Sequence, residues 1–119
     1  MAAEKQFETK IKKFLKDNGC WYVKYFANSF TPRGIPDLLC CVNGRFVAIE
    51  VKAENGKPSE LQYYNCNKIQ EAGGIALILY PRDFDSFKEL IHMLKAGELW
   101  PNFHIVELNV LDNAHINLN

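Results

Sequence analysis

Residues 34–52 read GIPDLLCCVNGRFVAIEVK, two apolar runs joined by Asn43-Gly44. Asn-Gly between such runs is a strong hairpin signal, because a type I′ turn needs two residues that tolerate positive φ. A two-residue loop sets Val42 opposite Arg45, and the same register carried back along the strands sets Asp37 opposite Glu50. Directly opposed side chains share a face with Cβ atoms about 4.5–5.5 Å apart, and like charges there destabilise the pair. Alternation puts Phe46, Ala48, Glu50 and Lys52 on one face of the second strand and Val47, Ile49 and Val51 on the other. The hairpin is therefore expected to gather Asp37, Glu50 and Lys52 at one end.

Two carboxylates held this close call for a counter-charge. Their hard oxygens suit Mg²⁺, which typically takes one or two carboxylates and keeps several waters. A lysine beside them could orient or deprotonate an attacking water, or stabilise charge growing on a phosphate. The same three residues also fit a salt-bridged strand end of little energetic weight. Spacing alone leaves both readings open.

Pro36-Asp37, twelve intervening residues and then Glu50-Val51-Lys52 resemble the PD-(D/E)XK nuclease signature. The wider string, GIPDLL, FVAIEVK and then Ser59-Glu60-Leu61-Gln62, resembles the virus-type replication-repair nuclease (VRR-NUC) family over about Glu8 to Tyr80. That resemblance implies an α/β fold with an αβββαβ core, its mixed sheet flanked by helices in the restriction-endonuclease-like manner. It also implies a divalent-metal-dependent DNA endonuclease. Asp37 and Glu50 would hold Mg²⁺ or Mn²⁺, joined by Glu8 directly or through water and by the backbone carbonyl of Val51. Lys52 would serve the attacking water and the transition state, with Gln62 beside it. The substrate implied is branched DNA such as a Holliday junction, and the assembly a homodimer, since two symmetric cuts need two sites about a twofold axis. The rival reading is a catalytically silent DNA-binding or accessory subunit on the same fold, which has no need to keep the full Asp-Glu-Lys set.

The length, 119 residues, suits a single nuclease domain, with its core over about residues 4–80 and an addition over 81–119. Hydrophobic content of 48% with 24% charged residues indicates a folded chain rather than a disordered one. No apolar run reaches the roughly 20 residues of a membrane helix, and MAAEKQFETK is too charged for a signal peptide. A cytoplasmic protein with no membrane partner is expected. Cys20, Cys40, Cys41 and Cys66 form no CxxC and read as small buried hydrophobes, while His92, His104 and His115 are scattered. Formal net charge is zero, yet residues 1–60 hold ten Lys/Arg against seven Asp/Glu and residues 61–119 hold four against seven. A phosphate-facing N-terminal half is compatible with that asymmetry.

Outward from the hairpin, the spacing of Phe7, Ile11, Phe14 and Leu15 predicts a helix over Glu4 to Asn18, stopped by Gly19. Glu8 lies at the edge of its apolar stripe, where it could equally pair with Lys12. Trp21 to Ala27 alternates like a strand, and Asn28 to Gly34 is a loop in which Arg33 is either solvated or a phosphate contact. Ser59 to Gln62 fits a capping box ahead of a helix to about Ala72, which explains Gln62 without any site. Ile75 to Leu79 reads as a central strand buried on both faces, followed by a helix over about Asp85 to Ala96 that buries Phe87, Leu90, Ile91 and Leu94. Phe103 to Leu108 is a further candidate strand.

Overall fold

The computed structural model describes residues 2–97, so the candidate strand at Phe103 to Leu108, the Trp100 region, His104 and His115 lie outside the described residues. The hairpin forms as the sequence dictates: Asn43 has φ 50° and Gly44 φ 81°, the positive pair a type I′ turn requires. Strands β2 (Leu38–Val42) and β3 (Arg45–Val51) flank it. They pair antiparallel from Val42 opposite Arg45 to Leu38 opposite Ile49, so Asp37, one residue before β2, falls at the position across from Glu50.

Helix α1 (Ala2–Asp17) buries Phe7, Ile11 and Leu15, and Gly19 at φ 71° lets the chain reverse into β1 (Trp21–Lys24). β1 pairs antiparallel with β2 but stops three residues before the expected Ala27. The Tyr25 amide still donates to the Asp37 carbonyl at 2.8 Å, after which local side-chain bonds replace the ladder. Asn28 Oδ1 accepts from the Phe30 amide at 2.7 Å, and Thr31 Oγ1 accepts from the Asn28 amide at 2.8 Å. The loop re-enters the fold at Gly34, whose φ is 75° and whose missing Cβ would sit 2.9 Å from the Leu61 carbonyl. Both the conformation and the close approach demand glycine.

Ser59 caps α2 (Glu60–Glu71), which leads to β4 (Ile75–Leu79), parallel to β3. A turn of 3₁₀ helix at Pro81–Asp83 then feeds α3 (Phe84–Lys95). The sheet order is β1-β2-β3-β4. β4 is buried along its whole length as expected, yet it is an edge strand of the described sheet rather than a central one. Its burial comes from helices above and below, not from a neighbouring strand on each side.

The two faces of the sheet carry separate cores. Leu38, Val47, Ile49, Val51, Leu77 and Leu79 pack with Phe7, Ile11 and Leu15 of α1 and Phe87, Ile91 and Leu94 of α3. Edge-on ring contacts tie the two helices, Phe7 to Phe84 at 5.5 Å and Phe14 to Phe87 at 5.9 Å. Ala76, Ile78 and Tyr80 pack with Cys66 of α2 on the opposite face. Cys40 and Cys66 are buried as expected, but Cys41 is exposed, because the alternation that buries Cys40 turns its neighbour outward. Burial pushes the Cys40 thiol up to about 12, so it is inert.

Candidate active site

The hairpin's open end is where β2 begins and β3 finishes, and here the polar side chains collect. Glu50 belongs to the α2 face and is only 2% exposed. Its Oε2 accepts a 2.7 Å hydrogen bond from Gln62 Nε2 and lies 3.7 Å from Lys52 Nζ. Its Oε1 is buried and has no hydrogen-bond partner. A buried carboxylate with one unsatisfied oxygen is costly. Loss of solvation, then the neighbouring negative charge of Asp37, push the Glu50 carboxyl up to about 8, against the opposing pull of Lys52.

Asp37 is held from the other strand. Its Oδ2 accepts from the Val51 amide at 2.8 Å, extending the antiparallel pairing by one side-chain bond beyond Leu38. Lys52, the next residue, donates its amide to the Leu79 carbonyl of β4 at 3.0 Å. The Val51 carbonyl shares that trans peptide and points the opposite way, towards the Asp37 side. Asp37, Glu50, Lys52, Gln62 and the Val51 backbone are thus brought together as their positions in the sequence indicate.

Gln62 serves two structures at once. Ser59 Oγ accepts from the Gln62 amide at 3.1 Å while Gln62 Oε1 accepts from the Ser59 amide at 2.8 Å, a complete capping box. With its oxygen on the cap, the same side-chain amide donates its Nε2 to Glu50 Oε2. Helix start and site geometry are therefore set by the same amide.

Glu8 is placed differently. Its Oε1 pairs with Lys24 Nζ at 2.8 Å and its Oε2 with Lys12 Nζ at 3.4 Å. Lys24 Nζ also lies 3.6 Å from Asp37 Oδ1 and so bridges the two acids. Its ammonium is stabilised in the charged form by both carboxylates, which outweigh the opposing effect of its partial burial. Among the described residues no three Asp, Glu, His or Cys side chains converge closely enough to hold a metal by themselves. The donor set nevertheless fits a hard divalent cation, because the buried Glu50 oxygen lacks a partner and Asp37 and the Val51 carbonyl face the same edge.

Spacing alone does not single out Lys24, which the structure sets between Glu8 and Asp37. Its signal was the alternation of Tyr22 and Lys24 on the half-buried side of β1, where a lone charge needs a partner across the core. Arg33 is exposed, and its carbonyl accepts from Asn65 Nδ2 at 3.1 Å.

A sheet that presents an acid at the start of one strand, and a glutamate and lysine at the end of the next, fits a known profile. The chain matches the archaeal Holliday junction resolvase (Hjc) family over residues 2–99. The chain belongs to that family. No curated protein matches it. Membership carries the restriction-endonuclease-like fold, a mixed four-stranded sheet flanked by three helices, and the PD-(D/E)XK nuclease superfamily. Resolvases of the Hjc family are nucleases of Holliday junctions and depend on a divalent metal. Among the described residues no helix is long and apolar enough to cross a membrane.

Proposed function

We propose that this Hjc-family chain is a Mg²⁺- or Mn²⁺-dependent endonuclease that hydrolyses phosphodiester bonds in branched DNA and works as a homodimer. The observation that carries the reading is Glu50: a buried carboxylate with one oxygen unpartnered, set across from Asp37 and beside Lys52. A fold gains nothing from such a group, whereas a cation site needs it. Asp37, Glu50 and the Val51 carbonyl would hold the ion, with Glu8 joining when Lys24 yields it. When bound, that ion polarises the phosphate and lowers the pKa of water.

The remaining steps belong to side chains. Lys52 keeps its ammonium at Glu50 and offers N–H donors to the attacking water and to the charge that grows on the phosphate. Gln62 fixes the rotamer of Glu50 by its hydrogen bond, leaving Oε1 as the free donor atom. That glutamine contact also supports the finer likeness to virus-type replication-repair nucleases within the superfamily. Twofold assembly would place two such sites for symmetric cuts, and Trp21 at 61% and Tyr64 at 53% exposure are candidate interface residues.

Incubation with four-way junction, flap, nicked, linear duplex and single-stranded DNA, each with Mg²⁺, Mn²⁺ or EDTA, tests this reading. Metal-dependent cutting of the junction is expected from the wild type. Lys52→Ala should bind metal and junction but not cut, and Glu50→Gln should lose metal binding as well. Light scattering should report a dimer. Junction binding without cutting under any metal would instead support the catalytically silent subunit. Near-wild-type cutting by Lys52→Ala would remove the lysine from the mechanism.

A further inference from the structure

Two of the most exposed large apolar side chains stand in the loop beside this site. Phe26 is 76% exposed and Phe30 94%, and neither belongs to a buried cluster. Exposed rings give the fold almost none of the burial energy a phenylalanine can supply. The loop that carries them is nonetheless well fixed. Asn28 and Thr31 bond its backbone, Tyr25 Oη donates to the Pro32 carbonyl at 2.9 Å, and Gly34 is wedged against Leu61.

The Phe26 ring is coupled to the hydrolytic groups through one cation. Lys24 Nζ lies 5.9 Å from the Phe26 ring centroid and 3.6 Å from Asp37 Oδ1. Phe26 also lines a cleft of about 430 Å³ with Lys5, Lys12 and Lys24, along with Glu4 and Glu8. Aromatic faces interleaved with cations suit one ligand chemistry, a nucleobase stacked on the ring with its phosphates on the lysines. Bases inside a continuous duplex are stacked on each other and offer no free face. Bases at a branch point, where stacking is interrupted, do.

We propose that Phe26 and Phe30 form a stacking platform for an unstacked nucleobase at a DNA branch, next to the phosphate to be cut. This rests on the nuclease reading above and adds to it the part of the chain that distinguishes branched from continuous DNA. Phe26 takes the base that only a junction presents, Phe30 stands exposed on the same loop, and Lys24 links Phe26 to Asp37.

The test compares wild type, Phe26→Ala/Phe30→Ala and Phe26→Trp/Phe30→Trp on a four-way junction and a linear duplex of matching sequence. Binding is measured in EDTA, with 2-aminopurine placed at the branch as a stacking reporter. Loss of stacking on one base weakens binding by roughly 10- to 100-fold, so the double alanine variant should lose that much junction affinity. Its duplex affinity and melting temperature should stay at wild-type values, and the 2-aminopurine signal change should vanish. The tryptophan pair should keep all three properties of the wild type. Unchanged junction affinity in the alanine pair, with a wild type that still binds and cuts junctions, overturns the platform alone. A monomer by light scattering, with junction and duplex binding reduced together, overturns it in favour of a second copy of the chain on these rings. A wild type that neither binds nor cuts junctions removes the nuclease reading and the platform with it.

Discussion

The Asp37 carboxylate accepts the Val51 amide at 2.8 Å, so the acid proposed above as a metal ligand also satisfies the last amide at the open end of the hairpin. The two roles can be separated by substitution. An asparagine side chain at this position keeps an oxygen for the buried Val51 amide while losing both the negative charge that disfavours ionisation of Glu50 and the attraction to Lys24. Asp37→Asn should therefore unfold in EDTA within about 1 kcal/mol of wild type. Asp37→Ala leaves the amide unpaired and should cost about 1–3 kcal/mol. Urea unfolding in EDTA measures both, and cleavage should be lost in each. A loss of several kcal/mol in Asp37→Asn would make Asp37 chiefly a structural acceptor.

Glu50 gives the chain a specific pH dependence. Its carboxyl is raised from 4.5 to about 8, first by burial and then by Asp37. Between those two values the folded state holds a proton that the unfolded state has released, so stability falls as pH rises through the window and levels off above it. The fall should be on the order of a few kcal/mol and should disappear in Glu50→Gln, which stays neutral throughout. Metal binding at neutral pH should also expel about one proton, readable by calorimetry in buffers of different ionisation enthalpy. A flat stability profile in the wild type would show that water reaches this carboxylate.

Much of the site was legible in the sequence because the hairpin register is local. Asn43-Gly44 fixes the turn, the turn fixes the pairing, and the pairing sets Asp37 across from Glu50 with Lys52 one pleat further. The capping box at Ser59 was equally readable, since it spans one helical turn. What spacing did not reveal depends on how distant elements meet. Lys24 looked like an ordinary strand residue until α1 brought Glu8 within 2.8 Å of it. β1 ends short of Ala27 because its partner strand begins only at Leu38, opposite Lys24, so alternation past that point has no strand to pair with. β4 looked central because both its faces are apolar, although helices rather than flanking strands bury it.

The double duty of Gln62 predicts that its two bonds are separable. Ser59→Ala removes the hydroxyl that receives the Gln62 amide, costing roughly 1 kcal/mol of helix stability, but leaves the Gln62 contact to Glu50 available. Thermal melts should show that loss while cleavage stays near wild type. Gln62→Ala removes both, and loss of a bond that orients a metal-holding side chain typically costs about 10- to 100-fold in metal affinity. Titration calorimetry with Mn²⁺ distinguishes the two variants. Equal metal affinity in both would mean that Glu50 keeps its orientation without the glutamine.

Lys24 bridges Glu8 and Asp37, and a bound divalent ion would be drawn to the same two carboxylates. The lysine is then a resident counter-ion that metal must compete with. Lys24→Met keeps the length of the side chain and removes its charge, leaving two acids facing each other without a bridge. In EDTA this variant should melt below wild type, because the repulsion between Glu8 and Asp37 is no longer offset. Added Mn²⁺ should raise its melting temperature more than it raises that of wild type, since binding the folded state stabilises by mass action and the competitor is gone. Glu8→Gln in the same background should cancel the extra gain, because one of the two released carboxylates is missing. A Mn²⁺ response in Lys24→Met equal to or smaller than that of wild type would show that Lys24 and the metal occupy their partners independently, and that Glu8 remains a helix-surface acid rather than a ligand.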